Sequence, residues 1–284
     1  MIVSIASGKG GTGKTTLSVN LAKFLTDVKH FEVTLADLDV EEPNSNLFLN
    51  LTKIQNFSTH KSVPEWNEDL CSLCERCQDR CRFNSILKIS NSIIIFPEMC
   101  HSCFLCSDLC VSDALKMKKI RIGEINHHKE GRFNFVEGRL DTGQEMPTPQ
   151  IKQTIEYVKS ISKNKITIFD APPGTSCSMV EVTKNSDFVI LVSEPTAFGL
   201  YDLKLAVETV RDLQKPFAVV INKYGIGDEK IEKYCRNESI DIISRIPHSI
   251  NIAKKYSRGE LIYDLPEVNS ELHKIVQAFP EEKL

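Results

Sequence analysis

Near its start the chain has the sequence Ser7-Gly8-Lys9-Gly10-Gly11-Thr12-Gly13-Lys14-Thr15-Thr16. This run lies between an apolar stretch, residues 1–6, and an amphipathic segment, residues 17–24, so we expect a strand, a glycine-rich loop and a helix in that order. Residues 8–15 fit the phosphate-loop pattern, in which glycines let backbone N–H groups approach a polyphosphate. The alternative is a glycine-rich turn that binds nothing, and the order of strand, loop and helix disfavours it.

The loop gives individual side chains candidate roles. Lys14 is expected against the β- and γ-phosphates of a nucleotide, and the Thr15 hydroxyl is expected to ligate Mg²⁺. The loop residues predicted to bind the nucleotide are Gly8, Gly10, Gly11, Thr12, Gly13, Lys14, Thr15 and Thr16.

Lys9 is a second lysine inside the loop, and phosphate binding within one chain does not need it. With Lys9 included, residues 9–16 resemble the deviant phosphate loop of the MinD, ParA, Mrp and nitrogenase iron protein superfamily. The resemblance implies a doubly wound, mainly parallel α/β sheet of the P-loop NTPase type. It implies that the protein hydrolyses Mg-ATP. It also implies a dimer in which Lys9 reaches the partner's nucleotide. The alternative is a solvated loop lysine.

Asp39 is the candidate for activating the attacking water. It ends the element Asp37-Leu38-Asp39 after a predicted strand at residues 31–36, and carboxylates at the C-terminal edge of a parallel sheet face its nucleotide crevice. In the resembled superfamily the second aspartate of this element positions or activates water. The catalytic candidates are therefore Lys9, Lys14 and Asp39, with a plain turn as the alternative for Asp39.

A second element of this kind, Asp170-Ala171-Pro172-Pro173-Gly174, follows a predicted strand at residues 165–169. It resembles the superfamily's second switch, in which the aspartate holds Mg²⁺ through water and the glycine senses the γ-phosphate. Asp170 would then complete the metal site begun by Thr15.

Three more strands are predicted at residues 188–192, 217–221 and 240–246, with helices between them. Asn222 closes one of these strands, as the adenine-reading asparagine of the superfamily does, and a polar turn residue is the alternative. Pro247 follows another strand and resembles a superfamily position at the nucleotide.

Eight of the ten cysteines lie between residues 71 and 110. The spacing Cys-x-x-Cys-x-x-Cys-x-x-x-Cys occurs twice with an offset of 29 residues, which predicts a duplicated unit. It is the spacing of bacterial two-cluster ferredoxins, in which three cysteines of one run and the last of the other hold each [4Fe–4S] cluster. Cluster one would take Cys71, Cys74, Cys77 and Cys110, and cluster two would take Cys100, Cys103, Cys106 and Cys81.

The cysteine runs depart from the ferredoxin pattern at one position, because Arg82 and Val111 replace the usual proline. Arg82 is expected to raise the potential of its cluster, since charge near the sulfurs tunes it. The alternative metal is zinc, which prefers paired Cys-x-x-Cys knuckles, whereas two complete runs favour clusters. Residues 61–120 contain eight acidic and eight basic residues, so charge does not identify an electron partner.

The predicted organisation is a P-loop ATPase domain in two segments, residues 1–60 and 121–284, interrupted by a small α+β ferredoxin-like domain at residues 61–120. Polar residues dominate just before the insert, as at a domain boundary. After it a β-hairpin is predicted, with His127 and His128 solvated in its loop.

Composition limits the partners that we expect. The net charge of −3, with no domain-wide basic excess, gives no reason to expect nucleic acid. No apolar run approaches a membrane span, no secretory leader precedes the first strand, and the tail at residues 268–284 lacks a basic amphipathic helix. We therefore expect a cytoplasmic protein without membrane contact, where thiols bind metal rather than form disulfides.

Three functions fit these motifs. The leading hypothesis is a Mg-ATP-dependent, dimerising ATPase that couples nucleotide state to electron transfer through two [4Fe–4S] clusters, as the nitrogenase iron protein does. The second is an iron–sulfur or metallocofactor assembly carrier, although the Cys-x-x-Cys of such carriers is missing from the second half. The third is a positioning ATPase with structural clusters. Expected partners are a second copy or a paralogous ATPase, and a redox or metallocofactor protein.

Cys177 lies seven residues after Asp170, the interval at which the nitrogenase iron protein places a ligand of its bridging cluster. One thiol per chain gives a dimer two ligands, whereas a [4Fe–4S] cluster needs four. The hypothesis is therefore limited to proximity of the two copies of Cys177 in the ATP-bound dimer. The alternative is a buried cysteine that packs the start of a helix.

Overall fold

The computed structural model describes residues 1–162 and 166–280. Lys165, the predicted first residue of one strand, and the last four residues of the C-terminal tail lie outside the described residues.

The strands are β1 (Ile2–Ala6), β2 (Val33–Asp37), β3 (Lys53–Trp66), β4 (Ile86–Ile89), β5 (Ser92–Ile95), β6 (Leu115–Glu130), β7 (Phe133–Leu140), β8 (Ile166–Asp170), β9 (Phe188–Ser193), β10 (Phe217–Tyr224) and β11 (Ile242–Pro247). The helices are α1 (Lys14–Asp27), α2 (Arg76–Arg80), α3 (Leu105–Asp108), α4 (Pro147–Ile161), α5 (Cys177–Lys184), α6 (Ala197–Asp212), α7 (Lys230–Asn237), α8 (Ile250–Tyr256) and α9 (Pro266–Gln277). The main sheet has the order β11-β10-β9-β1-β8-β2-β7-β6-β3, and β4 pairs with β5.

The sheet is parallel from β11 to β7. Strands β1, β2, β8 and β9 are buried almost throughout, as expected of a parallel sheet covered on both faces. Strand β1 lies between β8 and β9, so the strand order reverses on its two sides. Such a point, at the C-terminal ends of the strands, is where open α/β sheets bind ligands. The predicted mainly parallel α/β sheet is confirmed.

Strand register brings two predicted elements together. Asp37, the last residue of β2, is the register partner of Asp170, the last residue of β8. Helix α1 contributes Leu17, Leu21 and Phe24 to the buried apolar cluster that also contains Ile5 of β1. This packing fixes the loop between β1 and α1 against the same edge of the sheet.

The chain forms two compact units. Unit one comprises Met1–Phe57, Ile125–Arg139 and Ile151–Leu284, and unit two comprises Ser58–Glu124 and Leu140–Gln150. Unit two thus includes residues 140–150, which the sequence analysis assigned to the ATPase segment. Two contacts explain this, because Arg121 Nε donates to Asp141 Oδ2 at 2.8 Å and Gln150 Nε2 donates to the Glu124 carbonyl at 2.8 Å.

Unit two repeats its backbone conformation at the offset of the cysteine runs. Leu73 and Glu75 have left-handed φ angles of 53° and 63°, and Ser102 and Phe104, 29 residues later, have 54° and 64°. Non-glycine residues seldom adopt this region. Their recurrence at equivalent positions supports a structural duplication.

His127 corrects one expectation. It lies inside β6 rather than in a loop, and it is only 5% exposed. Its Nδ1 is 2.8 Å from the Tyr157 hydroxyl, and its Nε2 is 3.1 Å from Asn134 Oδ1. The prediction that His127 and His128 are solvated in a loop was therefore wrong, because β6 extends through both residues and His128 is also half-buried.

Membrane insertion has no candidate helix here. Over residues 1–162 and 166–280, each helix is too short or too polar to span a bilayer.

Candidate functional site

Two glycines of the phosphate loop are required by close backbone approach. Gly13 has a left-handed φ of 94°, and a Cβ built on it would lie 2.1 Å from Asn222 Nδ2. A Cβ on Gly8 would lie 2.1 Å from the Asp202 carbonyl oxygen. Any side chain at either position would displace these neighbours, so the loop needs glycine at both positions.

A cavity of about 480 Å³ opens at the loop. This volume is in the usual range for small-molecule sites. Its apolar side includes Phe48, Ile252 and Tyr256. The predicted nucleotide and catalytic residues that line it are Gly10, Gly11, Gly13, Lys14, Thr15, Thr16, Asp39, Asn222 and Pro247.

Asn222 is tied to the loop directly. Its Nδ2 donates a hydrogen bond of 2.8 Å to the carbonyl of Thr12, whose side chain is buried and does not line the cavity. Gly174 also lies outside the lining, and its N–H donates to the Ser7 carbonyl at 3.1 Å. Both hydrogen bonds hold the backbone of the loop in place.

Asp170 is fully buried beneath the loop and does not line the cavity. It accepts hydrogen bonds from Ser18 Oγ at 2.9 Å and Ser45 Oγ at 3.4 Å, and it contacts the Thr15 side chain. Burial raises the pKa of Asp170 to about 7, and the charge of Asp37 acts in the same direction. Ser18 and Ser45 were not predicted at the site, because neither belongs to a recognisable sequence pattern.

Asp37 and Asp39 have different environments. Asp37 is fully buried, its pKa is raised by burial, and it accepts hydrogen bonds from the backbone N–H groups of Asp39, Asn44 and Ser45 at 3.0–3.1 Å. It therefore shapes the turn after β2. Asp39 lines the cavity, and burial and Asp37 raise its pKa to about 6, while the charge of Lys14 lowers it.

Lys14 is 6% exposed and lies near the carboxylates of Asp37, Asp39 and Asp170. Burial lowers the pKa of Lys14, and Asp170, Asp39 and Asp37 act against that change. Within the described residues, no three His, Cys, Asp or Glu side chains are placed to hold a single metal ion. Mg²⁺ in nucleotide sites usually takes one or two carboxylates with phosphates and waters, and the contacting pair of Thr15 and Asp170 fits that set.

Lys9 does not line the cavity, because it is paired within its own chain. Its Nζ lies 2.6 Å from Glu194 Oε1. Lys223 Nζ lies 2.9 Å from the other oxygen of Glu194 and donates to the Gly11 carbonyl at 3.1 Å. Glu194 belongs to Ser193-Glu194-Pro195-Thr196, which resembles a landmark of the superfamily, but its pairing with Lys9 was not predicted.

The eight cysteines of the two runs line two hollows of unit two. The first hollow contains Cys71, Cys74, Cys77 and Cys110, and the second contains Cys81, Cys100, Cys103 and Cys106. Cys106 also borders the first hollow. Each hollow thus contains the four cysteines that the spacing assigned to one cluster, and their role as cluster ligands stays a prediction.

The first hollow has donors directed at sulfur. Leu73 N–H donates to Cys71 Sγ at 3.4 Å, and Ala114 N–H donates to Cys110 Sγ at 3.2 Å. Trp66 lines the same hollow, and its buried indole Nε1 has no hydrogen-bond partner among the described residues. A [4Fe–4S] cluster takes one thiolate at each iron and accepts hydrogen bonds at its sulfurs, so this lining fits such a group.

Cys177 and Cys235 lie outside both hollows. Cys177 is exposed at the start of α5, so the alternative of a buried packing cysteine is wrong. Cys235 is buried in α7, and burial raises its pKa to about 11.

Residues 3–262 match the nucleotide-binding domain of the CobQ/CobB/MinD/ParA family. The chain is 31% identical over 271 residues to the protein MJ0579 of Methanocaldococcus jannaschii, covering 92% of this chain and 90% of that protein. It is 23% identical over 260 residues to the iron-sulfur cluster carrier protein of Pyrococcus abyssi, covering 86% and 73%. The fold is similar to that of the septum site-determining protein MinD of Pyrococcus horikoshii complexed with Mg-ADP, with a TM-score of 0.60, 17% identity, and coverage of 100% of this chain and 98% of that chain.

Proposed function

Since the chain belongs to the CobQ/CobB/MinD/ParA nucleotide-binding family, we propose that it is a Mg-ATP-dependent, dimerising ATPase that couples its nucleotide state to electron transfer through two [4Fe–4S] clusters. One observation carries the proposal: the same chain has a phosphate-loop cavity and two hollows lined by the paired cysteine runs. A polyphosphate site and two hollows that can hold redox clusters are the parts that such coupling needs.

Hydrolysis is assigned to the residues at the cavity. Loop N–H groups and Lys14 would hold the phosphates, and Thr15 and Asp170 would hold Mg²⁺, the latter through water. Mg²⁺, when bound, would supply neutralisation of phosphate charge. Asp39 lines the cavity and is mostly ionised at neutral pH, since its pKa is about 6. It can therefore orient the attacking water and accept its proton.

Dimerisation is assigned to Lys9. In a dimer with a second copy or a paralogue, the ion pair of Lys9 with Glu194 would break, and Lys9 would instead contact the phosphates of the partner's nucleotide. This exchange favours the dimer only when ATP is bound, so ATP shifts the population toward it.

Redox function is assigned to residues 61–120 as a ferredoxin-like domain inserted between ATPase segments 1–60 and 121–284. Each cluster, when bound, supplies one-electron chemistry to a redox partner protein. The protein is placed in the cytoplasm, without membrane or nucleic-acid contact. The reducing cytoplasm keeps the cysteines available as ligands.

A second candidate function is iron–sulfur or metallocofactor assembly. The similarity to the Pyrococcus abyssi iron-sulfur cluster carrier protein favours it. A carrier transfers its clusters to an apo-ferredoxin, whereas an electron-transfer protein retains them. Incubation with an apo-ferredoxin, followed by separation and iron analysis, distinguishes the two.

The test of the proposed function starts with anaerobically purified protein. We expect about eight iron and eight sulfide per chain, as two [4Fe–4S] clusters require, together with Mg-dependent ATP hydrolysis. The variant Cys103→Ser should lose the spectroscopic signal of one cluster and keep ATP binding. Cys235→Ser, a buried cysteine of unit one, is the matched control and should keep both signals. Stoichiometric zinc without iron or sulfide, or no hydrolysis, would overturn the proposal.

A further inference from the structure

Lys61 is a buried cation in β3. The residue is 5% exposed, and its Nζ donates to the weak acceptor Met146 Sδ at 3.9 Å. Among residues 1–162 and 166–280, no carboxylate oxygen lies within 4.0 Å of this nitrogen. An ammonium buried without a directly paired carboxylate is costly, so an anion held close to Lys61 would be stabilised by it.

Lys61 lies on the strand to which the second cysteine run is attached. The Ser102 hydroxyl donates to the carbonyl of Ser62 at 2.6 Å, which fastens the second cysteine run to the strand that carries Lys61. Cys100, two residues before Ser102, is 6% exposed. Burial lowers the pKa of Lys61, and the neighbouring Cys100 sulfur and exposed Glu98 carboxylate oppose that change.

The other cations near this hollow are solvated. Arg80 lines the second hollow but is exposed, and Arg82, the residue that the sequence suggested for tuning, is exposed as well. Water and salt screen exposed charges much more than buried ones. The first hollow instead receives from β3 the neutral indole N–H of Trp66. Strand β3 therefore carries a charged residue near Cys100 of the second run and a neutral donor at the first hollow.

We propose that Lys61 raises the reduction potential of cluster two, the cluster assigned to Cys81, Cys100, Cys103 and Cys106. The proposal rests on the proposed function, because it requires a cluster in that hollow. One-electron reduction adds a negative charge to a cluster whose four thiolate ligands already make it anionic. A buried ammonium beside the ligand Cys100 stabilises the added charge, since the interaction is strong in a low-dielectric site.

The test compares neutral and charged residues at position 61 in the full chain with both clusters. Lys61→Met and Lys61→Gln remove the charge, Lys61→Arg retains it, and Lys118→Met removes a half-exposed lysine that pairs with Glu65 in the same unit. A reductive titration with EPR detection gives both midpoint potentials. Cys103→Ser alters a ligand of cluster two and so identifies the midpoint of that cluster.

We expect Lys61→Met and Lys61→Gln to lower the equilibrium constant for reduction of cluster two about tenfold, which is ~59 mV for one electron. The midpoint of cluster one, and both midpoints in Lys61→Arg and Lys118→Met, should stay at the wild-type values. Unchanged midpoints in both neutral variants, or an equal shift of the two clusters, would overturn the role of Lys61. Wild-type protein without iron and sulfide would instead overturn the proposed function.

Discussion

Lys9 and Glu194 form an ion pair within one chain, with 2.6 Å between Lys9 Nζ and Glu194 Oε1. The side chain of Glu194 is only 14% exposed, and Lys223 holds its second oxygen. Burial raises the pKa of Glu194, but the hydrogen bonds and charges of both lysines outweigh this and hold it below its usual value. The lysine proposed to act on a partner's nucleotide is therefore restrained by its own chain.

Releasing this restraint should favour the dimer. Glu194→Gln should lower the dissociation constant of the ATP-bound dimer roughly fivefold, because it removes a competing ion pair of about 1 kcal/mol. Lys9→Ala should prevent ATP-dependent dimerisation and leave ATP binding by the monomer unchanged. Sedimentation velocity with and without Mg-ATP measures both effects. The exposed pair Arg211–Glu238 provides the control Glu238→Gln, and equal dimerisation of all variants contradicts the role of Lys9.

Asp39→Ala should slow ATP hydrolysis and leave ATP binding intact. We expect kcat to fall about 10²–10⁴-fold, the usual effect of removing a general base, while the ATP-bound dimer accumulates. In the wild type, kcat/KM should fall as the pH drops below about 6, because burial and Asp37 raise the pKa of Asp39 to that value and the base must be ionised. The exposed neighbour Glu41, changed to Ala, is the control. Wild-type turnover by Asp39→Ala would contradict the assignment.

Asp170 should make the nucleotide-free protein less stable as the pH rises. Its pKa of about 7 in the folded chain exceeds the ordinary value of 3.8, through burial and then Asp37. The folded chain therefore binds a proton that the unfolded chain releases, and the free energy of unfolding falls as pH rises through this window. The full effect is of order 4 kcal/mol.

The measurement is urea denaturation by circular dichroism between about pH 5 and 8 in EDTA, a range that covers the upper part of the Asp170 window and passes its end near pH 7. Asp170→Asn should weaken the pH dependence, whereas the exposed control Asp212→Asn should retain it. An unchanged slope in Asp170→Asn would show that Asp170 does not carry the effect.

Cys177 should report the nucleotide state of the dimer. It is exposed at the start of α5, shortly after the Gly174 element that we assign to γ-phosphate sensing. In a Cys235→Ser background with intact clusters, mild oxidation should cross-link two copies of Cys177 with Mg-ATP and not without it. Non-reducing electrophoresis gives the yield. Cross-linking that ignores nucleotide, or a dimer that never cross-links, would contradict the proximity of the two thiols.

The sequence was informative where local pattern determines structure. Helix α1 begins at Lys14 because the glycine spacing and the apolar period specify the loop and the helix. The approach of Asp37, Asp39 and Asp170 was predictable too, since parallel strands end at one edge of the sheet. The 29-residue offset of the cysteine runs likewise predicted the repeated backbone of unit two.

Features that depend on contacts between distant residues were not predictable. Lys61 belongs to no motif, and only the fold shows that it is buried beside Cys100 while Arg82 is solvated. The ion pair of Lys9 with Glu194 joins residues 185 positions apart. His127 was placed in a loop because alternation along the chain does not show where a strand ends.

The central claim is that nucleotide and cluster redox state are coupled. Binding free energies are reciprocal, so if ATP changes a cluster potential, reduction must change ATP affinity by the same factor. Under anaerobic conditions, the dissociation constant of ATP should be measured for oxidised and for dithionite-reduced protein that contains both clusters. The account predicts a difference of about fivefold or more, the lower bound of typical couplings. Equal dissociation constants for the two redox states would contradict it.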